Sequence, residues 1–267
     1  MDVSRHGGKI AWMVSYYSRK EEAMYQFFVE NSQIGDTHIK ITGEDVNHIK
    51  NVLRMKPGEQ VRISNQQGED YFCEIGSMEK EQVTARILYK DHESKELPVK
   101  IYLFQGLPKG DKMEWIIQKA VELGVYEIIP VAMRNCVVKL DEKKAAGKVR
   151  RWQAIAESAA KQSKRSIIPN IHEVMTFSEA ADYAATMDIR LLPYENERGM
   201  EHTRQVIGGL KKEGSLAVFI GPEGGFDAKE IEAVKDKVEL LSLGNRILRT
   251  ETAGMTMLSI LLYHLEE

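Results

Sequence analysis

The stretch Leu241–Ala253, "LSLGNRILRTETA", runs straight into Gly254–Glu267, "GMTMLSILLYHLEE", and its reading decides the rest of the chain. A strand-like apolar run stops at Gly244, a loop carries Arg246, Arg249 and Glu251, and an apolar helix follows. A terminal segment this apolar must be buried against something. Thr250 is placed to cap that helix, and Glu251 falls in its first turn, where a negative charge suits the helix dipole. Neither role accounts for Arg246 and Arg249, which flank an apolar "IL" pair and need partners, solvent or an anionic ligand.

Upstream, strands and helices alternate. "KIYLFQGL", "YEIIPV", "DIRLLPY" and "SLAVFIG" read as strands; between them lie the amphipathic "KMEWIIQKAVELG", a long helix from about Glu142 to Ser163 and a helix near Met200 to Lys212. This alternation predicts an α/β domain, a mostly parallel sheet covered by helices, over residues 96–267. Before it, from Met24 to about Lys90, the pattern is short strands with close turns such as Pro57-Gly58 and Gln67-Gly68, which predicts a small barrel over 24–95. One helical piece interrupts the strands, with Val46, Ile49, Val52 and Leu53 on one face. The charged "KDHESKELP" separates the two. Residues 1–23 are expected to be an extension, since Met24 opens a strand and would be a natural start.

In open parallel sheets, ligands bind beyond the carboxyl ends of the strands, so three loops carry the chemistry. The first follows Leu192 with Pro193 and Tyr194, and alone it reads as a surface turn. The second is Gly221-Pro222-Glu223-Gly224-Gly225, after which Asp227 and Glu230 form a capping-box pattern. Its glycines would let a backbone approach a ligand closely, but the spacing is neither GxGxxG nor GxxxxGK[ST]. The third is the opening stretch. Lys139–Arg165 holds nine basic and three acidic residues, a pattern that is usually a solvated helix face; Trp152 within it suits either a core anchor or a stacking platform.

Composition removes several function classes. With 37 basic against 40 acidic residues, a net charge of −3, bulk charge does not point to nucleic acid, and any basic surface must be local. Cys73 and Cys136 lie far apart, and the seven histidines show no ligand spacing, so no disulfide framework and no metal site is expected. No run approaches the roughly 18 apolar residues of a membrane helix, and "IAWMV" is too short for a signal-peptide core, so a soluble, cytoplasmic protein is expected.

Four blocks in order then carry a resemblance: Gly106–Val125 "GLPKGDKMEWIIQKAVELGV", Ala156–Ile171 "AESAAKQSKRSIIPNI", Gly221–Phe226 "GPEGGF" and Leu243–Ala253 "LGNRILRTETA". From Met24 onward the chain resembles the RsmE family, the 16S ribosomal RNA uridine-N3 methyltransferases of the SPOUT superfamily. The resemblance implies a PUA-like β-barrel followed by an α/β trefoil-knot domain that holds S-adenosyl-L-methionine, and a homodimer acting on 16S rRNA or the small ribosomal subunit. It implies a cofactor pocket built from Leu192 and Tyr194; Gly221, Pro222, Glu223, Gly224 and Gly225; Leu243, Gly244, Arg246, Ile247 and Leu248; and Thr252 and Ala253. Arg249 and Glu251 would face the methyl group, Arg249 stabilising the uridine anion or Glu251 accepting the N3 proton. Lys109, Lys112, Lys161, Gln162 and Arg165 would contact RNA. The alternatives are a ribose 2′-O-methyltransferase of the same superfamily and a non-catalytic RNA-binding assembly factor.

Overall fold

The computed structural model describes residues 24–92 and 94–266; the expected extension at 1–23 lies outside the described residues. The chain divides into two compact units between Lys95 and Glu96.

In the first unit, β1 (Tyr25–Phe28), β2 (His38–Thr42), β3 (Gln60–Ser64), β4 (Asp70–Met78) and β5 (Gln82–Asp91) form one curled sheet in the order β1-β3-β4-β5-β2. The β1–β3 pair is parallel and the other three pairs are antiparallel. Alternate residues point inward, as the two-residue period of a strand requires, and bury Phe27, Ile39, Ile41, Ile63, Ile75 and Val83. Arg62 is buried in an ion pair with Asp70 and lies 3.2 Å from Asp91, which tolerates a cation inside the sheet. The helical piece is α1 (Glu44–Asn47) running into a wider π turn over His48–Val52. The extra residue in that turn rotates the face: Val46 and Ile49 are buried, while Val52, expected beside them, is 63% exposed.

The second unit holds a parallel sheet of β6 (Lys100–Gly106), β7 (Glu127–Ala132), β8 (Asn170–Ile171), β9 (Met175–Thr176), β10 (Ile189–Pro193), β11 (Ser215–Ile220) and β12 (Glu239–Leu241). Its order is β12-β10-β11-β6-β7-β8, with β9 also on β7. The helices are α2 (Lys112–Glu122), α3 (Glu142–Ser163), α4 (Phe177–Ala184), α5 (Glu201–Gly208), α6 (Ala228–Val234) and α7 (Thr250–Leu265). The central strands are apolar on both faces because helices cover both: Leu103, Phe104, Ile128, Ile129, Val218 and Phe219 are at most 1% exposed. Side-chain caps start α3 at Asp141, α4 at Thr176 and α6 at Asp227 with Glu230. Trp152 of α3 is 3% exposed and so is a core anchor, not a stacking surface.

The apolar helix α7 is interior on one face only. Gly254, Met257, Leu258, Leu261 and Leu265 recur at three- and four-residue spacing and are buried, while Tyr263 is 92% exposed. No helix among the described residues is long and apolar enough to cross a membrane. The one-sided burial predicts that Leu261→Ala lowers the unfolding free energy of this unit by about 2–5 kcal/mol. Urea titration followed by circular dichroism reads it, and a change below about 0.5 kcal/mol would contradict the burial.

Candidate active site

Strands β12, β10 and β11 are neighbours and run parallel, so the loops that leave their carboxyl ends emerge side by side. These are the three loops singled out in the sequence. They enclose one cavity of about 570 Å³, within the range that holds small-molecule ligands. Tyr194 lines it from the first loop, Gly221 to Phe226 from the second, and Ser242 to Gly244 and Arg246 to Thr250 from the third, with Ala253 of α7 at its edge.

Backbone contacts join the loops. The Tyr194 amide donates to the Leu241 carbonyl at 2.9 Å, tying the first loop to the third. Thr203 of α5 pins the start of the third loop, donating its hydroxyl to the Ser242 carbonyl at 2.9 Å and accepting from the Ser242 amide at 3.1 Å. Thr250 ties the third loop to the second. Its hydroxyl donates to the Gly221 carbonyl at 2.6 Å and accepts from Nε2 of Gln105, at the end of β6, at 2.9 Å. The expected capping role is therefore replaced: Arg249 holds the N-cap position without a side-chain cap, and Thr250 is the first helical residue, its hydroxyl spent on holding loops together.

The glycines of the second loop are required by space. Gly225 has φ +66°, and a Cβ there would also collide with the Glu195 carboxylate. At Gly106 a Cβ would stand 2.7 Å from the Pro222 nitrogen, so only a glycine lets β6 end against this turn. Asn135, from the loop after β7, donates to the carbonyls of Gly224 at 3.1 Å and Gly225 at 3.3 Å and holds the turn from behind. Its short tie to two glycine carbonyls has no sequence signature.

The charged groups divide into two sets. Arg246 and Arg249 are exposed on the cavity lining and form no ion pair among the described residues. By contrast Lys112, at the start of α2, is shared between two carboxylates, 3.0 Å from Glu223 and 3.4 Å from Glu251. Its pKa is raised above the ordinary lysine value by the hydrogen bond to Glu223. Burial pulls the Glu223 carboxyl upward, but donors from the Lys109 amide and Lys112 outweigh it and hold the group below its usual value. Glu251 Oε2 is buried and accepts no well-formed hydrogen bond, so the ammonium at ion-pair distance is its main compensation.

Three expected pocket or methyl-facing residues lie elsewhere. Leu192 is fully buried within β10, where its side chain packs in the sheet. Thr252 faces the opposite side of α7, on a shallow depression beside Trp115 and Tyr263. Glu251 sits outside the lining, turned toward Lys112. Among the expected RNA contacts, Lys112 lines the cavity, Lys109 is exposed beside Glu223, Gln162 is exposed, and Lys161 pairs with Glu157 at 2.8 Å. Arg165 is corrected outright. It is 5% exposed, ion-paired with Glu96, and donates to the Val121 carbonyl at 3.3 Å and to the Val125 carbonyl, closing the turn after α2. Its place in a basic run concealed that role, because Glu96 lies 69 residues away.

Loops at the carboxyl ends of adjacent parallel strands, wrapped around one glycine-walled cavity, make a small-molecule site at the place where open α/β sheets bind their ligands. Residues 95–262 match the RNA methyltransferase domain profile and residues 41–88 the RNA methyltransferase PUA domain profile. The chain is 40% identical to the ribosomal RNA small subunit methyltransferase E of Bacillus subtilis, over 91% of this chain and 98% of that one. The structure of the Neisseria gonorrhoeae ribosomal RNA small subunit methyltransferase E bound to S-adenosyl methionine is 30% identical, with a TM-score of 0.76 over 88% of this chain and 95% of that one. A Legionella pneumophila protein solved with the cofactor S-adenosylmethionine is 32% identical, with a TM-score of 0.78 over 90% of this chain and 97% of that one. The chain belongs to the ribosomal RNA small subunit methyltransferase E family. An α/β unit with a parallel sheet after a PUA-domain barrel is the fold class expected from the four sequence blocks.

The buried position of Arg165 yields a direct expectation. Arg165→Ala removes the ion partner of the Glu96 carboxylate, which keeps the Ser166 and Ile167 amides, and costs about 3–5 kcal/mol of stability. Urea unfolding measures it, and a change below about 0.5 kcal/mol would contradict the structural role.

Proposed function

We propose that this protein transfers a methyl group from S-adenosyl-L-methionine to N3 of a uridine in 16S rRNA of the small ribosomal subunit. The observation that carries the reading is the single cavity enclosed by the three loops, which supplies what an adenosine-bearing cofactor needs: glycine-lined backbone, apolar walls from Ile220, Leu243, Ile247 and Leu248, and the ring of Tyr194. Tyr194, Gly221, Pro222, Glu223, Gly224, Gly225, Leu243, Gly244, Arg246, Ile247, Leu248 and Ala253 hold the cofactor; Leu192 acts only through the strand beneath it. S-adenosyl-L-methionine, when bound, supplies an electrophilic methyl group on a sulfonium.

Uridine N3 lies on the pairing edge and carries a proton, so the base must leave its stack before attack. Loss of that proton leaves a negative imide. Arg249 is the residue suited to stabilise it, because its guanidinium stands exposed on the cavity lining and pairs with no carboxylate among the described residues. Glu251 is less suited to take the proton, because its carboxylate is already turned toward the Lys112 ammonium. Its work is to hold Lys112, and through it Glu223, against the start of α7.

Residues 24–95 form the PUA-like unit that helps bind RNA, and residues 96–267 the methyltransferase unit. The first carries nine basic and twelve acidic residues, so its RNA contact is a local patch. The protein works in the cytoplasm as a homodimer; the support for the latter is the exposed side of α7, where Tyr263 and Ile260 stand with Trp115 beside a shallow apolar depression.

Incubation with labelled cofactor and unmodified small subunits should give 3-methyluridine, detected as a reverse-transcription stop and by nucleoside analysis. Arg249→Ala should lower transfer by at least about 100-fold while cofactor affinity by calorimetry stays within about threefold. Undiminished transfer would remove Arg249 from the mechanism, and a methyl on ribose would replace the proposed product.

A further inference from the structure

A second hollow, of about 530 Å³, opens on the α/β unit between the loop after β7 and helix α6. Four cations line it: Arg134 and Lys139 from the loop after β7, Lys229 from α6, and Lys237 from the turn that follows α6. The ammonium groups of Lys139, Lys229 and Lys237 are exposed and form no ion pair among the described residues. The Arg134 guanidinium has one long ion-pair contact among the described residues, 3.9 Å to Asp227.

Two carboxylates share the lining, Asp182 and Glu230. Glu230 is 5% exposed, and both its oxygens are taken by backbone amides, those of Arg134 and Asp227, each at 2.9 Å. Its charge is spent inside the protein, so Asp182 is the acid left facing the hollow. On a chain with a net charge of −3, four cations converging from separate segments on one concavity are not the average surface. A solvated helix face spreads its lysines along one convex element with carboxylates between them; this hollow gathers them from three.

The hollow and the cofactor cavity share a wall. Phe177, lining the hollow, meets Phe226, lining the cavity, edge to face at 6.3 Å between ring centres. The loop that presents Arg134 to the hollow presents its next residue, Asn135, to the carbonyls of Gly224 and Gly225. A polyanion held in the hollow is therefore held against the back of the turn that bounds the cavity.

We infer that this hollow is a phosphodiester-binding site, in which Arg134, Lys139, Lys229 and Lys237 grip the backbone of the substrate RNA and register it on the methyltransferase unit. The inference rests on the reading that RNA is the substrate. Phosphate contacts position a nucleic acid without reading its sequence, and each releases counterions, which gives a measurable salt dependence. It adds to the expected contacts, of which Arg165 is buried, Lys112 is shared between two carboxylates and Lys161 is paired with Glu157, while Lys109 is exposed.

The test compares the intact protein with Lys139→Gln/Lys229→Gln/Lys237→Gln and with the corresponding triple arginine variant, using in vitro transcribed 16S rRNA in filter binding at several salt concentrations. The glutamine variant should bind with a slope of log K against log salt that is shallower by about two to three, at roughly 0.7–0.9 per lost phosphate contact. Its affinity should fall by at least about tenfold at low salt. The arginine variant should retain the wild-type slope, and calorimetric binding of S-adenosyl-L-methionine should be the same for all three. Wild-type slope and affinity in the glutamine variant, with wild-type protein binding RNA, would overturn the hollow alone and leave the substrate reading standing. A wild-type protein that does not bind 16S rRNA would overturn both. Loss of cofactor binding in the glutamine variant would assign these lysines to the fold instead and overturn the site.

Discussion

The structure around the cavity depends on one hydroxyl. Thr250 donates to the Gly221 carbonyl and accepts from Gln105, so the end of β6, the turn after β11 and the start of α7 meet at a single buried side chain. Gln105 and Thr250 are 145 residues apart, and this contact stitches the last helix to the sheet at the point where the cavity opens. A methyl group in place of the hydroxyl would take the donor from the Gly221 carbonyl and one of two acceptors from the Gln105 amide, whose other is the Gly106 carbonyl at 3.0 Å, and losing a buried partner costs more than the bond itself contributes. Around it the packing leaves little freedom: Gly106 ends β6 against Pro222, and Gly225 turns in a conformation that a side chain would strain.

Given that stitch, the division of charge around the cavity acquires a meaning. The ammonium of Lys112 is consumed by Glu223 and Glu251, which fixes three segments and removes two carboxylates from the chemistry. Arg249 and Arg246 keep their charge for whatever enters. The same segregation holds on the other side of the turn, where Glu230 is consumed by backbone amides and the neighbouring lysines are left open. Carboxylates here mostly hold the protein, and cations face outward.

Local patterns in the sequence carried the fold far. The apolar strands of the second unit, the long helix Glu142–Ser163 and the capping box at Asp227 are written in hydrophobic period and in capping chemistry, which act over a few residues. The three loops were legible because strand order in a parallel sheet brings carboxyl ends together. What was hidden depends on partners distant in sequence or on an irregular turn. Arg165 reads as a surface cation until Glu96 is found beside it. Thr250 reads as a cap until the Gly221 carbonyl is found in reach. Val52 leaves the buried face because a π turn adds one residue to the helix, and the eight residues of α4 are too few to show a helical period. The basic hollow has no linear signature, since its cations come from positions 134, 139, 229 and 237.

The central claim, that these loops enclose one methyl donor, is tested most directly by a crystal structure of the protein grown with S-adenosyl-L-methionine. The account predicts cofactor density between Tyr194, the Gly221–Gly225 turn and the Leu243–Leu248 loop, with the methyl group open toward Arg249. Cofactor density outside that cavity, or a cavity that stays free of cofactor at saturating concentration, would contradict it.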